Sequence, residues 1–124
     1  MQTTLRPVWS PPELLLEATS GDDDLIADLI DSFKTDTVAR ICQIRVALAY
    51  FDFPKICAQA HTIKGSARQM GADAVADACR DLETAAGLQQ ATLVAAQVDL
   101  TQELFEEAHH AMTTYSTAFD MRPQ

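Results

Sequence analysis

The sequence predicts an all-α protein: an antiparallel up-down four-helix bundle with a short extra helix at its N-terminus. Apolar residues recur at helical spacing along most of the chain, which predicts amphipathic helices. Only four of the 124 residues are glycine, too few for an all-β fold with many tight turns. The periodic segments are joined by short connections, which make successive helices antiparallel neighbours. The length suits a single domain over residues 1–124, with the bundle at about 12–119.

The first predicted helix is short and the second is long. Ser10 is expected to cap the first helix, with proline at the first helical position and Glu13 three residues after the cap. This helix should end near Gly21. Residues 22–24, all aspartate, supply a cap and first-turn negative charge for the second helix, which should end near Tyr50. Its apolar stripe comprises Ile26, Ile30, Phe33, Thr37, Ile41, Ile44 and Leu48.

The third and fourth helices are predicted from the same kinds of pattern. Asp52 should cap the third helix, with Pro54 in its first turn, and Gly71 should close it in a left-handed conformation. Asp73 should cap the fourth helix, and Gly87 should end it. The two apolar stripes are Ile56, Ala60, Ile63, Ala67 and Met70 on the third helix, and Val75, Ala78, Cys79, Leu82 and Ala86 on the fourth.

The last predicted helix covers about residues 93–119. Because aromatic residues make up only 6% of the chain, the core should be aliphatic and rich in alanine. Trp9 should pack the leading segment onto the end of the bundle. The turn between the second and third helices is aromatic, and its side chains are expected to cap the core there, with contact to a partner as the alternative: Tyr50, Phe51 and Phe53.

The chain is acidic, with 18 Asp and Glu against 9 Lys and Arg and a formal net charge of −9. Such a charge repels phosphate backbones and anionic lipid surfaces, which argues against nucleic-acid and membrane partners. No apolar window is long enough to span a bilayer, and no secretory signal is visible at the N-terminus. Cys42, Cys57 and Cys79 are odd in number and far apart, so we expect three buried, reduced thiols in a cytoplasmic protein.

The third helix carries a histidine that faces away from the core. At about 100° per residue, its apolar stripe centres near Ala60 and Ala67, which leaves His61 roughly 140° from that centre and Gly65 nearly opposite it. Glycine inside a helix costs about 1 kcal/mol relative to alanine, so Gly65 needs a compensating role. Without a side chain, it leaves an open shelf over which another molecule can approach the imidazole.

A neutral imidazole in this position can act as a nucleophile. Its exposed nitrogen can attack a phosphoryl group, and Lys64, one turn away, can offset the charge on the phosphoryl oxygens. A carboxylate on the other ring nitrogen would fix the tautomer and support the developing positive charge. On these residues alone, a surface histidine beside a lysine on a solvated face is the favoured interpretation.

Residues 60–67, Ala-His-Thr-Ile-Lys-Gly-Ser-Ala, followed by Gly-Ala at 71–72, resemble the signature of the histidine-containing phosphotransfer (HPt) domain family. Residues 79–83, Cys-Arg-Asp-Leu-Glu, are similar to the family's Cys-x-x-Leu-Glu segment. The resemblance extends over about residues 14–118, because the order and lengths of the helices also match. Two departures are mild, since Ile63 replaces the commoner leucine and Ala67 stands where serine is frequent.

The resemblance implies a role for each candidate site residue. His61 is implied to accept the phosphoryl group through its outward nitrogen, and Lys64 to contact that group or the partner's active site. Gly65 is implied to give room for docking, and Glu83 to accept a hydrogen bond from the other imidazole nitrogen. The position of Glu83 beside the stripe of the fourth helix agrees, since it lets the carboxylate face the third helix.

Ser66 and Arg68 complete the candidate binding residues. Ser66 is expected to be structural, with its hydroxyl on a backbone carbonyl. Arg68 is expected either to touch an acidic partner site or to lie on a solvated face.

The resemblance also implies the partners. A response-regulator receiver domain presents a phosphorylated aspartate with Mg²⁺, and His61 takes the phosphoryl group from it, or from a hybrid sensor kinase, and passes it to a response regulator. The Mg²⁺ belongs to the partner, so we expect no metal site and no cofactor on this chain. Since the sequence has no Gly-rich nucleotide loop, we expect a monomeric phosphoryl carrier without catalytic activity of its own. A chain running from Met1 to Gln124 favours a free-standing protein.

Two other functions are considered. The first is an adaptor bundle that binds a receiver domain or a kinase without accepting phosphate. The second is a metal-binding bundle, since Cys57 and His61 are spaced i, i+4 and His109 and His110 lie in the last helix. Adjacent histidines point about 100° apart, so at most one of the pair can join a site on one face, which argues against the metal hypothesis.

Overall fold

The computed structural model describes the backbone of residues 9–120 and the side chains of residues 9–117. Its helices are α1 (Glu13–Thr19), α2 (Asp23–Ala49), α3 (Phe53–Gln69), α4 (Asp73–Gly87) and α5 (Ala91–Asp120). Helices α2 to α5 pack as a four-helix bundle, and α1 lies against α2. The predicted all-α bundle with a short leading helix is confirmed. The sequence also predicts that residues 121–124 fray at the chain end, and this prediction lies outside the described residues.

Hydrogen bonds between helices show that neighbours run antiparallel. Arg45, near the end of α2, binds Asp99 and Gln102 near the start of α5, at 3.0 and 2.6 Å. Arg40 on α2 binds Gln59 on α3 at 2.8 Å. The turns at 50–52 and 88–90 therefore lie at one end of the bundle, the open end. The turn at 70–72 lies at the opposite end, the sealed end, together with the leading segment 9–12.

The core is aliphatic and rich in alanine, as predicted. Its buried alanines are Ala47, Ala60, Ala67, Ala72, Ala76, Ala78, Ala85 and Ala86. Because many of the side chains between α3 and α4 are small, these two helices pack closely along their length. This close packing sets the positions from which α4 can present a side chain to the outer face of α3.

Trp9 seals one end of the bundle. Its side chain is buried, and Nε1 donates a hydrogen bond to the carbonyl oxygen of Met70 at 2.6 Å. The indole also packs edge-on against Tyr115, with ring centroids 5.3 Å apart. The prediction that Trp9 packs the leading segment onto the bundle end is confirmed.

The open end differs from its prediction. Tyr50 is 80% exposed and Phe51 is 67% exposed, so neither ring caps the core. Only Phe53 is partly buried against it. The reason is local: α2 closes with a bond from the Asp52 N–H to the carbonyl of Ala47, which leaves residues 50 and 51 on the turn, outside both helices.

The helix N-termini confirm two predicted caps and contradict two. Asp22 and Asp52 accept from backbone N–H groups of α2 and α3, as predicted. Ser10 does not cap α1: the cap is Pro12, because a residue before proline is disfavoured in helical conformation and two prolines follow Ser10. Asp73 does not cap α4 either. Its N-cap is Ala72, and Asp73 is the first helical residue, where its charge still favours the helix N-terminus.

At the helix C-termini, the closing role predicted for one glycine is confirmed and that predicted for another is wrong. Gly71 takes the predicted left-handed conformation after α3, with φ of 72°. Gly87 does not stop α4 in this way, because it is the last helical residue and Gln89 takes the left-handed position, with φ of 55°. Among the helices that the structure describes, none combines the length and apolar content of a membrane span.

Candidate functional site

His61 lies on the outer face of α3, as the helical phase predicted. Its side chain is 75% exposed, whereas Ala60 and Ala67 on the opposite face are completely buried. Gly65 lies one turn further along the helix, and a Cβ atom built there would meet no atom within 4 Å. The space over Gly65 is therefore open, and the predicted shelf beside the imidazole is present.

Glu83 on α4 holds one nitrogen of this ring. Burial of Leu82 fixes the rotation of α4, and Glu83 follows it at the edge that faces α3. The Glu83 Oε1 atom lies 3.1 Å from His61 Nδ1. An ionised carboxylate only accepts hydrogen bonds, so this contact assigns the neutral ring a proton on Nδ1. Nε2 is then the nitrogen with a free lone pair.

The same carboxylate binds a lysine. The ammonium of Lys64 lies 3.0 Å from Glu83 Oε2, and its side chain is only 15% exposed. The three side chains of His61, Lys64 and Glu83 therefore form one network, with one carboxylate oxygen for each partner. Sequence reasoning placed all three residues but missed this ion pair. The i+3 spacing of Lys64 from His61 put both on one helix face, yet it did not show that they share an anion.

Ser66 and Arg68 lie on the same helix without joining this network. The Ser66 hydroxyl donates to the carbonyl oxygen of Thr62 at 3.2 Å, which matches the structural role expected for it. Arg68 is exposed in the last turn of α3, where a positive charge is favourable near the helix C-terminus. Its exposed position also leaves the guanidinium accessible to a partner.

Cys57 supports the site in a way that sequence reasoning missed. Its thiol donates to the backbone carbonyl of Glu83 at 3.5 Å and so joins α3 to α4 at this level. Burial, and then the negative charge of Glu83, raise the pKa of Cys57. The same two causes raise the pKa of Cys79 to about 12, against a smaller opposing effect of Lys64. Both groups therefore remain neutral thiols near pH 7.

Two further predictions concern cysteines and metals. The expectation of three buried cysteines is right only for Cys79, since Cys57 is half-buried and Cys42 is exposed. Cys42 directly follows the buried Ile41 on α2 and so points away from the stripe that faces the core. Within residues 9–117, no group of three or more His, Cys, Asp or Glu side chains is arranged to hold a metal ion.

A groove of about 630 Å³ lies elsewhere, between α2 and α5. Its floor and rim include Val38, Ile41, Phe105 and His109, and all of its lining residues belong to these two helices. His109 stacks on Phe105, and burial followed by the charge of Lys34 lowers the pKa of His109. The groove does not include any of the candidate site residues, so it is separate from the face that carries His61.

Comparison with known proteins gives two matches. A model of the Hpt domain family matches residues 28–117, a range that contains all six candidate site residues. The fold is similar to the crystal structure of histidine-containing phosphotransfer protein B (HptB) from Pseudomonas aeruginosa PAO1, with a TM-score of 0.78 and 22% sequence identity. This similarity covers 90% of this chain and 96% of that one. A search of curated proteins gave no match.

Proposed function

The chain belongs to the Hpt domain family and is a histidine phosphotransfer protein of a phosphorelay, and from this premise we propose that His61 is its phosphoryl acceptor. Proteins of this family carry phosphoryl groups and interact with receiver domains and kinases of two-component systems. We propose that His61 takes the phosphoryl group from a receiver-domain aspartate or a hybrid sensor kinase and passes it to a response regulator. The observation that supports this most directly is the exposed imidazole whose Nδ1 is held by Glu83.

The transfer is a nucleophilic displacement at phosphorus. The lone pair of His61 Nε2 forms the new N–P bond while the bond from phosphorus to the aspartate oxygen breaks, and that oxygen leaves as a carboxylate. The ring, which keeps its proton on Nδ1, then carries a positive charge. Glu83 stabilises this charge through the hydrogen bond that it already accepts in the unphosphorylated protein. Delivery to the response regulator reverses the same step.

The neighbouring residues receive supporting roles. Since Glu83 holds the Lys64 ammonium next to the ring, that cation is placed to offset charge on the phosphoryl oxygens. Gly65 leaves the space through which the partner reaches the imidazole. Arg68 faces an acidic part of the partner, and Ser66 supports the helix. The Mg²⁺ ion comes with the partner, whose carboxylates hold it.

We further propose that the protein is a monomeric carrier in the cytoplasm, without catalytic activity of its own. Its three cysteines are all free thiols, which suits a reducing compartment. A net charge of −9 on 124 residues opposes self-association at low ionic strength.

Labelling with a phosphorylated receiver domain tests the acceptor. The wild-type chain, incubated with the receiver and Mg²⁺, should take up label that is labile in acid and stable in base, as a phosphorylated histidine is. His61→Gln should lower the label to background. His110→Gln, which changes an exposed histidine on α5, is the matched control and should keep it. Full labelling of His61→Gln would refute the assignment, and binding of the receiver without any label on the wild type would instead support an adaptor.

Two substitutions of Glu83 test the positioning of the ring. Glu83→Gln keeps an oxygen for the Nδ1–H but removes the charge, whereas Glu83→Ala removes both. We expect the rate of label uptake to fall about tenfold for Glu83→Ala and less for Glu83→Gln, because a hydrogen bond to a charged group contributes about 1.5 kcal/mol, close to a factor of ten. Rapid-quench kinetics measure the rates, and circular dichroism checks the fold. Equal rates for wild type and Glu83→Ala would remove Glu83 from the mechanism.

A further inference from the structure

Four helices end with the same backbone geometry but with different residues. A residue with positive φ follows each of α1 to α4: Ser20 (53°), Phe51 (55°), Gly71 (72°) and Gln89 (55°). In each case the next N–H returns to a carbonyl five residues earlier, which closes the helix. Glycine is the usual residue here, because a Cβ atom crowds the following carbonyl oxygen in this conformation. An aromatic residue is therefore the least expected of the four.

The ring of Phe51 does not offset the cost of this backbone conformation by packing into the core. It is 67% exposed, and the preceding Tyr50 is 80% exposed. The Phe51 ring contacts that of Phe53, with centroids 6.4 Å apart, but it does not enter the core. A strained backbone that presents two exposed aromatic rings is typical of a surface kept for a partner.

This surface adjoins the site. His61 lies eight residues after the start of α3 at Phe53, about 12 Å along the helix axis. The exposed Pro54 precedes His61 by seven residues and so shares its face of the helix. An interface of ordinary size covers about 800 Å² on each partner, a patch of about 16 Å radius. A partner centred on His61 therefore reaches the turn with Tyr50 and Phe51.

The charge of α3 indicates the chemistry of this partner. Helix α3 carries Lys55, Lys64 and Arg68 and no acidic residue, in a chain whose net charge is −9. A phosphorylated aspartate and the Mg²⁺ beside it lie among carboxylates, so the donor surface is acidic. Such a surface is attracted to α3 and repelled by α5, which contains no Lys or Arg. Lys55 lies in the first turn of α3, next to the aromatic turn.

We propose that Tyr50 and Phe51 form an aromatic docking contact for the receiver domain that exchanges its phosphoryl group with His61. The proposal rests on the proposed function and adds to it the surface that selects the receiver. The two rings act in binding, and they leave the transfer step to His61 and Glu83. Removal of the rings should therefore raise the receiver concentration for half-maximal transfer and leave the maximal rate of transfer unchanged.

The test is Phe51→Gly, which removes the ring and supplies the residue that the backbone favours. The probe is the phosphorylated receiver domain that labels the wild-type chain fastest among those of the source organism. We expect the receiver concentration for half-maximal transfer to rise about tenfold, as for loss of an aromatic anchor, with the maximal rate unchanged. The melting temperature should equal or exceed that of the wild type, which excludes a folding defect.

Two controls separate the ring from its surroundings. Gln89→Gly relieves the positive φ of the other left-handed residue at the open end without removing a ring. Leu14→Ala removes an apolar side chain on α1 that is 78% exposed. Both should keep the wild-type half-saturation. The docking contact is refuted if Phe51→Gly also keeps it, or if only its maximal rate falls. Self-association of the wild type that Phe51→Gly abolishes would assign the patch to a second copy. Absence of label on the wild type would remove the proposed function as well.

Discussion

The two ends of the bundle close their helices with the same backbone geometry and treat the closing residue differently. At the sealed end Gly71 closes α3, and the leading segment with Trp9 covers it, whereas the exposed Ser20 closes α1. At the open end the corresponding residues are Phe51 and Gln89, and no segment within residues 9–117 covers the exposed rings of the aromatic turn. Under the leading segment, the closure of α3 therefore uses glycine because packing requires it. The closure of α2 at the open end uses Phe51 instead, although its exposed ring adds nothing to the core.

Position 71 at the sealed end requires glycine for two independent reasons. Its φ of 72° is disfavoured for any residue with a Cβ atom. A Cβ atom on Gly71 would also lie 2.8 Å from Pro12 Cγ and 3.7 Å from Trp9 Nε1. At the open end only the positive φ disfavours a side chain, so Phe51 and Gln89 are tolerated at a modest cost. This difference predicts that loss of Trp9 or Gly71 at the sealed end changes stability, whereas loss of the exposed rings at the open end changes partner binding.

Trp9→Ala should give the largest effect on stability. It removes a buried indole, its bond to the Met70 carbonyl and its contact with Tyr115, so the free energy of unfolding should fall by about 3 kcal/mol. Urea denaturation measures the change. Tyr50→Ala is the matched control at the open end and should stay within about 0.5 kcal/mol of the wild type, because its ring is exposed. Equal losses in the two variants would show that the ends do not differ in packing.

The sequence predicted the helices and the reactive residues because both follow from local patterns. The phase of α3 placed His61 outside, and the apolar stripe of α4 placed Glu83 toward α3. The ion pair between Lys64 and Glu83 depends on how close α3 and α4 pack and on their relative height, which no pattern within one helix reveals. Asp73 failed as a cap for a related reason: the closure of α3 at Gly71 fixed where α4 could begin.

The aromatic turn shows a second limit of the sequence. Hydrophobicity predicts that Tyr50 and Phe51 are buried, because large apolar side chains usually are. Their exposure follows from the position at which α2 ends, which the cap at Asp52 determines together with the closing bond to Ala47. A shift of one residue at that boundary would redirect both rings. Helix ends are the least predictable part of a helical sequence.

Gly71→Ala should give the next largest effect and isolates the difference between the two ends. The added Cβ atom is disfavoured by the left-handed conformation and also meets Pro12, so we expect a loss of about 2 kcal/mol in the free energy of unfolding. Gln89→Ala is the matched control at the open end, where a Cβ atom is already present, and should stay within about 0.5 kcal/mol of the wild type.

The double variant Gly71→Ala with Pro12→Ala separates the two contributions of the glycine. Pro12→Ala removes the Cγ and Cδ atoms that the new Cβ atom would meet, at 2.8 and 3.4 Å. If contact with the leading segment matters, Gly71→Ala will destabilise the Pro12→Ala background by only about 1 kcal/mol, the part that the backbone conformation contributes. Urea denaturation of all four proteins gives the coupling. If Gly71→Ala lowers the free energy of unfolding equally in the wild-type and Pro12→Ala backgrounds, the whole effect comes from the backbone conformation at position 71. Contact with the leading segment would then not distinguish the two ends.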